Sequence, residues 1–191
     1  MKRIVIFASG SGTNAENVIK FFLNRDDASV IKVFTNNPKA QVLERAKKLN
    51  VNTVLFHKDA FTSSNEILHA LKALNPDLIV LAGFLLQFPE HILQEFPNKV
   101  INIHPALLPK YGGKGMYGMN VHEAVVKNNE KQSGITIHYV NERYDEGTII
   151  FQATCQVNET DTAKDVAAKI HDLEMEYFPK VVLKVLCLDN G

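Results

Sequence analysis

The sequence predicts an α/β protein built on a doubly wound, mostly parallel sheet with an antiparallel edge. Three observations predict it. Apolar runs of strand length alternate with stretches of helical periodicity from Lys2 to Ile103. A glycine-punctuated turn follows the first of these runs, and two β-rich runs stand next to each other late in the chain.

Taken in order, Lys2 to Ala8 reads as a fully buried strand. Thr13 to Leu23 follows as a helix with Ile19, Phe22 and Leu23 on one stripe. Val30 to Thr35 is the second strand, Lys39 to Leu49 a helix, Thr53 to Phe56 the third strand and Asn65 to Leu74 a helix. Leu78 to Ala82 and Lys99 to Ile103 add two strands, with a short helix from Glu90 to Phe96 between them. Beyond Ile103, Pro105, Pro109 and the glycines Gly112, Gly113, Gly115 and Gly118 exclude regular structure and predict a long loop beside a strand end. A helix from Asn120 to Lys127 precedes the β-rich runs Gly134 to Val140 and Thr148 to Val157. Asp145, Glu146 and Gly147 form the turn between them, as in an antiparallel pair. From about Asp161 the spacing of Val166, Ile170, Leu173, Tyr177 and Val181 predicts a closing helix.

At 191 residues, one domain is expected to bury roughly 70% of the surface of its unfolded chain. With 46% hydrophobic and 22% charged residues, the composition is that of a globular protein. Twenty-one basic residues balance twenty-one acidic ones, so no overall positive field draws in nucleic acid or an anionic membrane, and any anionic ligand must be held locally. The longest apolar run, Leu78 to Leu86, is about half the ~20 residues a membrane span needs. Lys2 to Gly12 is too short and too rich in glycine for a signal peptide, so a cytoplasmic protein is expected. Cys155 and Cys187 read as reduced structural thiols.

Three segments carry candidate chemistry. In Ala8-Ser9-Gly10-Ser11-Gly12-Thr13-Asn14, small residues let a ligand approach the backbone, and free amides at a helix N-terminus favour phosphate. The alternative is a tight turn capped by Ser11 or Thr13. A dinucleotide is disfavoured, because the second strand ends in Phe34-Thr35-Asn36-Asn37-Pro38 without the carboxylate that would hold a ribose. In Asn102-Ile103-His104-Pro105, the two polar side chains lie two apart on a strand end. They project together, one able to donate to a developing oxyanion and the other to exchange a proton near neutral pH. Asp145 is suited to orient an imidazole and equally suited to a plain turn. His138 reads as a packed or surface histidine rather than a second catalyst. His57, His69, His91, His122 and His171 show no metal-ligand spacing, so no metal is expected.

Asn102-x-His104-Pro105-x-Leu107-Leu108-Pro109, followed by Asp145-x-Gly147, resembles the active-site signature of the folate-dependent formyltransferases. With Gly10-Ser11-Gly12-Thr13-Asn14 and Leu81-Ala82-Gly83-Phe84 added, the resemblance runs from about Lys2 into the last helix. It extends to the members that act on glycinamide ribonucleotide in purine biosynthesis. It implies a formyltransferase-like fold with 10-formyltetrahydrofolate as co-substrate and small-molecule substrates only, in a monomer or homodimer. Residues 1–100 would be a nucleotide-binding half and residues 101–191 a catalytic and folate-binding half of one domain. His104 is implied as general acid/base, Asn102 as oxyanion donor and Asp145 as support for His104. Gly12, Thr13 and Asn14 are implied as the ribonucleotide turn, and Glu174 as a ribose ligand. Leu85, Leu86, Gln87 and Phe88 are implied as the backbone segment that holds the pterin, with Asn102 and Asn141 also in the folate site and the loop from Asn141 to Asp145 closing over the same ring. Two departures stand out. Ser64 occupies the place of an arginine near the folate tail, and Gly112 to Met119 is longer than in familiar relatives. Within the family, tRNA, sugar nucleotides and water are alternative acceptors. From another class, a non-catalytic nucleotide-binding module would use the glycine turn and leave Asn102 and His104 without a role.

Overall fold

The computed structural model describes residues 1–187. Its strands are β1 (Lys2–Phe7), β2 (Ala28–Thr35), β3 (Thr53–Leu55), β4 (Leu78–Leu81), β5 (Val100–His104), β6 (Gln132–Tyr139) and β7 (Ile149–Gln156). Its helices are α1 (Thr13–Phe22), α2 (Val42–Lys48), α3 (Lys58–Thr62), α4 (Glu66–Leu74), α5 (Glu90–Leu93), α6 (Met119–Lys127) and α7 (Ala163–Val185). The strands form one seven-stranded sheet in the order β3-β2-β1-β4-β5-β6-β7. From β3 to β5 the neighbours are parallel, and β6 and β7 extend the sheet in antiparallel sense. The doubly wound sheet and its antiparallel edge are therefore as the sequence predicts.

Strand alternation explains why both faces are covered. On β1, Ile4 and Ile6 enter the core shared with α1, α2, α6 and α7, whereas Val5 and Phe7 enter the core shared with α3, α4 and α5. The second core is aromatic: Phe7 stacks on Phe34 at 4.8 Å and meets Phe61 and Phe88 edge-on or tilted. The long α7 begins with a capping box, in which Thr162 accepts from the Asp165 amide and the Asp165 carboxylate accepts from the Thr162 amide.

Two elements differ from expectation. Five-residue α3 is too short to produce a periodic pattern, and the helix expected to reach Phe96 is regular only as far as Leu93. The chain winds outward from β1 to β3 and returns to β4 on the other side of β1. This places a crevice outside the carboxyl ends of β1, β4 and β5.

Candidate active site

A cavity of about 620 Å³ occupies that crevice. Gly10 to Asn14 border one end, Ala82 to Leu85 the side, and Asn102, His104 and Asp145 the middle. His122, His171 and Glu174 complete the wall, and both implied halves of the chain contribute to it.

The glycine turn owes its shape to Gly12, whose φ of 76° puts it in the left-handed region. Gly12 itself is the N-cap of α1, and among the described residues no side chain caps the helix start, so the Ser11 or Thr13 cap is corrected. A side chain at Gly12 would collide with Val42, which explains the glycine. The turn is held from outside: Arg45 Nε donates to the Ser11 carbonyl at 2.8 Å and Asn37 Nδ2 to the Ser9 carbonyl at 3.0 Å. Ser9 Oγ donates to Asn36 at 2.7 Å and accepts from the Leu85 amide at 3.1 Å, tying the turn to the loop after β4.

Across the cavity end, Glu174 accepts from Asn14 Nδ2 at 2.9 Å, leaving Asn14 Oδ1 buried without a partner among the described residues. Such an orphaned acceptor, beside uncapped amides, suits a hydroxyl- and phosphate-bearing ligand. Burial raises the Glu174 carboxyl above its ordinary range, against the pull of Asn14 and His171. Because the folded state then holds the proton more tightly than the unfolded chain, this group's contribution is favourable at low pH. It is lost as pH rises from about 4.5 through the folded value. Glu174→Gln is accordingly expected to raise the melting temperature at pH 8 and to leave it unchanged at pH 4. Thermal scans at the two pH values check this, and an equal shift at both would refute it.

In the middle of the cavity, antiparallel register sets Asn102 opposite His138 and His104 opposite Thr136. His138 thus stands beside Asn102, buried as the packed reading expects and outside the cavity wall. Its signal, a polar side chain on the same face as Thr136, acquires meaning only once β5 is known to be its neighbour. His138 Nδ1 donates to the Tyr139 carbonyl at 2.8 Å, leaving Nε2 to accept from Asn102 Nδ2 at 3.2 Å. The second Asn102 hydrogen faces Asp145 Oδ1 at a long 3.5 Å.

Asp145 bridges the two histidines, its Oδ2 lying 3.5 Å from His104 Nδ1 and its Oδ1 3.5 Å from His138 Nε2. The Gly113 amide also donates to Oδ2, at 2.9 Å, so the glycine loop that the sequence left without a role fixes this carboxylate. Burial opposes the Asp145 charge, but the two histidines and that amide outweigh it and hold the carboxyl below its ordinary range. His104 Nε2 lies 2.7 Å from the Tyr111 carbonyl, which can only accept. The proton therefore sits on Nε2, and Nδ1 is the nitrogen free to titrate. Burial lowers the His104 pKa further than Asp145 and Tyr111 raise it, so the resting imidazole is neutral at pH 7.

The remaining expected residues divide. Gly12, Thr13, Asn14, Glu174 and Leu85 line the cavity. Leu86 packs on the aromatic core and Phe88 lies inside it, so their side chains do not face the cavity. Gln87 Nε2 donates to the Glu142 carbonyl at 2.6 Å, fastening the loop from Asn141 to Asp145 to this segment. Asn141 is not in the wall, and its Oδ1 accepts from the Arg143 amide at 3.0 Å. His122 and His171, which the sequence did not single out, are in the wall, and His122 Nδ1 is buried without a partner among the described residues.

Comparison with known proteins decides the family: the sequence model described as formyl transferase matches residues 2–182. The chain belongs to the formyl transferase family. Among curated members, a phosphoribosylglycinamide formyltransferase of Bacillus subtilis is 33% identical over 195 residues, covering 100% of this chain and 97% of its own. The chloroplastic enzyme of that name from Arabidopsis thaliana is 34% identical over 95% of this chain, which spans 64% of the plant protein's length. The solved phosphoribosylglycinamide formyltransferase of Anaplasma phagocytophilum superposes with a TM-score of 0.88 at 32% identity, over 97% of this chain and 87% of that one. The formyl transferase fold thus accounts for the whole sheet, antiparallel edge included. Among the described residues, no helix is long and apolar enough to cross a membrane.

Proposed function

We propose that this formyl transferase moves the formyl group of 10-formyltetrahydrofolate to the primary amine of glycinamide ribonucleotide, a step of purine biosynthesis. The observation that carries the proposal is the joining of two unlike ends in one cavity. Uncapped helix amides with Asn14 and Glu174 suit a ribose phosphate, and Asn102, His104 and Asp145 stand in reach of whatever that ligand extends toward them. A nucleotide-binding module would need only the first end.

In this reading the site brings amine and formyl carbon together without a covalent enzyme intermediate. His104 enters neutral, as a proton acceptor at Nδ1. The amine proton arrives at Nδ1 as the new C–N bond forms, and Asp145, already 3.5 Å away, stabilises the resulting imidazolium. The imidazolium then donates to the charge gathering on the formyl oxygen and later returns the proton toward the departing folate nitrogen. Asn102 exchanges its long contact with Asp145 for that oxygen, because its shorter bond to His138 holds the amide in place. Leu85 and the Gly83 to Leu85 backbone, tied down by Ser9, form the wall for the pterin, with Tyr144 and Asp145 opposite.

An amine-acceptor screen with 10-formyltetrahydrofolate, followed by folate absorbance, tests the proposal. Turnover with glycinamide ribonucleotide at least tenfold faster than with other amines or water is expected. Faster turnover with another acceptor, or none with any, overturns it. Ser64, exposed at the turn between α3 and α4, donates to the Ala60 carbonyl at 3.1 Å. Ser64→Arg would add one solvent-screened ion pair of about 0–1 kcal/mol with a glutamate tail. It is expected to change KM for polyglutamylated folate by less than about fivefold and to leave kcat alone. A tenfold tightening would identify a tail site in need of that charge.

A further inference from the structure

The carbonyl that fixes the His104 tautomer belongs to Tyr111, a bulky residue with φ of 57°, in the left-handed region that such side chains rarely adopt. Its ring packs against the main core, and its hydroxyl donates to Glu130 Oε1 at 3.0 Å. The same carboxylate oxygen takes Lys110 Nζ at 2.9 Å, and Glu130 itself lies between α6 and β6. Both side chains of the Lys110-Tyr111 pair are thus anchored on one carboxylate outside the cavity, while the Tyr111 carbonyl is turned inward onto His104.

We infer that the Tyr111–Glu130 bond is a positioning device for the reaction: it holds the Tyr111 carbonyl where it fixes the proton of His104 on Nε2, so that Nδ1 alone serves as the exchanging nitrogen. Neither residue touches substrate in this scheme, and both act through the imidazole. The inference rests on the reading of His104 as the proton-exchanging group. The groups facing His104 are Asp145 before β7, His138 on β6 and His122 on α6, together with the Tyr111 carbonyl. None of the three side chains accepts from Nε2, so loss of the carbonyl leaves that N–H unpaired and the two tautomers closer in energy. It also removes an acceptor that favours the imidazolium, which lowers the His104 pKa further.

The test is long-range proton–nitrogen NMR of the full chain labelled with 15N-histidine, with His104→Gln used to assign the signal, alongside pH profiles of formyl transfer. In the wild type above its titration, His104 is expected to show a protonated Nε2 and an unprotonated Nδ1. In Tyr111→Phe and Glu130→Ala, these shifts should move toward tautomer-averaged values. The His104 midpoint should fall, and kcat should drop about tenfold with KM within about twofold. Glu130→Gln keeps an acceptor for the hydroxyl and should restore the wild-type spectrum and profile. A wild-type His104 protonated on Nδ1, or unchanged His104 signals and pH profiles in both disrupting variants, would overturn the inference. Because the spectra are read without turnover, a wild type that transfers no formyl group would instead count against the catalytic reading alone.

Discussion

Replacing His104 with alanine is expected to lower kcat by about 100-fold or more while the protein stays folded. His104 is buried, but it borders an open cavity, so water can fill the space its ring vacates. In the proposed mechanism its removal takes away the proton acceptor and the donor to the formyl oxygen, and it also leaves the Tyr111 carbonyl without its imidazole partner. Asp145→Asn should cost a similar factor for a different reason. The amide keeps an oxygen for the Gly113 amide but lacks the charge that stabilises imidazolium at Nδ1. Steady-state rates with melting temperatures check both variants. Near-wild-type turnover in either one, with the fold intact, would remove that residue from the chemistry.

Gly12→Val is the second large effect, and it is expected in stability as well as binding. A Cβ at Gly12 would lie 2.5 Å from both Cβ and Cγ2 of Val42 and 2.8 Å from its Cα, at a φ of 76°. Overpacking and left-handed strain together cost about 3 kcal/mol or more, equivalent to a fall of roughly 6–12 °C in melting temperature for a domain of this size. Because Val42 begins α2, the turn and that helix should shift together, and affinity for glycinamide ribonucleotide should fall at least tenfold. Gly10 separates strain from ligand approach, since a Cβ there meets nothing within 4 Å. Gly10→Ala should therefore keep its melting temperature and weaken the ribonucleotide selectively, leaving a folate analogue bound. Calorimetry with each ligand distinguishes the cases. Equal loss of both ligands in Gly10→Ala would show that the turn does not belong to the phosphate end.

Where side-chain periodicity is strong and local, sequence and structure coincide. β1 and β4 read as strands because their runs are apolar on both faces, β5 because Ile101 and Ile103 alternate with Asn102 and His104, and α7 because its stripe recurs through many turns. Asn102 and His104 were legible for the same reason: alternation on one strand puts them on one side whatever the rest of the chain does. The glycine turn was legible as a turn between β1 and α1, but not its cap, because the sequence does not show that Gly12 takes a left-handed φ with Val42 packed against it. Short α3 left no trace in the pattern.

What the sequence by itself determined is thus the layered α/β class, the strand-end placement of Asn102 and His104, and a glycine-punctuated turn ahead of α1. Each depends on residues adjacent in the chain. The tertiary structure alone decided that His138 and Asp145 join them, because that needs the antiparallel register of β5 with β6, fixed by side-chain burial along both strands. It also decided that Phe88 belongs to the core rather than the cavity, that the Gly113 amide clamps Asp145, and that the Tyr111 carbonyl selects the His104 tautomer. Hydrogen bonds and charge shifts of this kind depend on distance in space and on exclusion of water. Neither quantity exists along the chain until the sheet has brought its distant segments together.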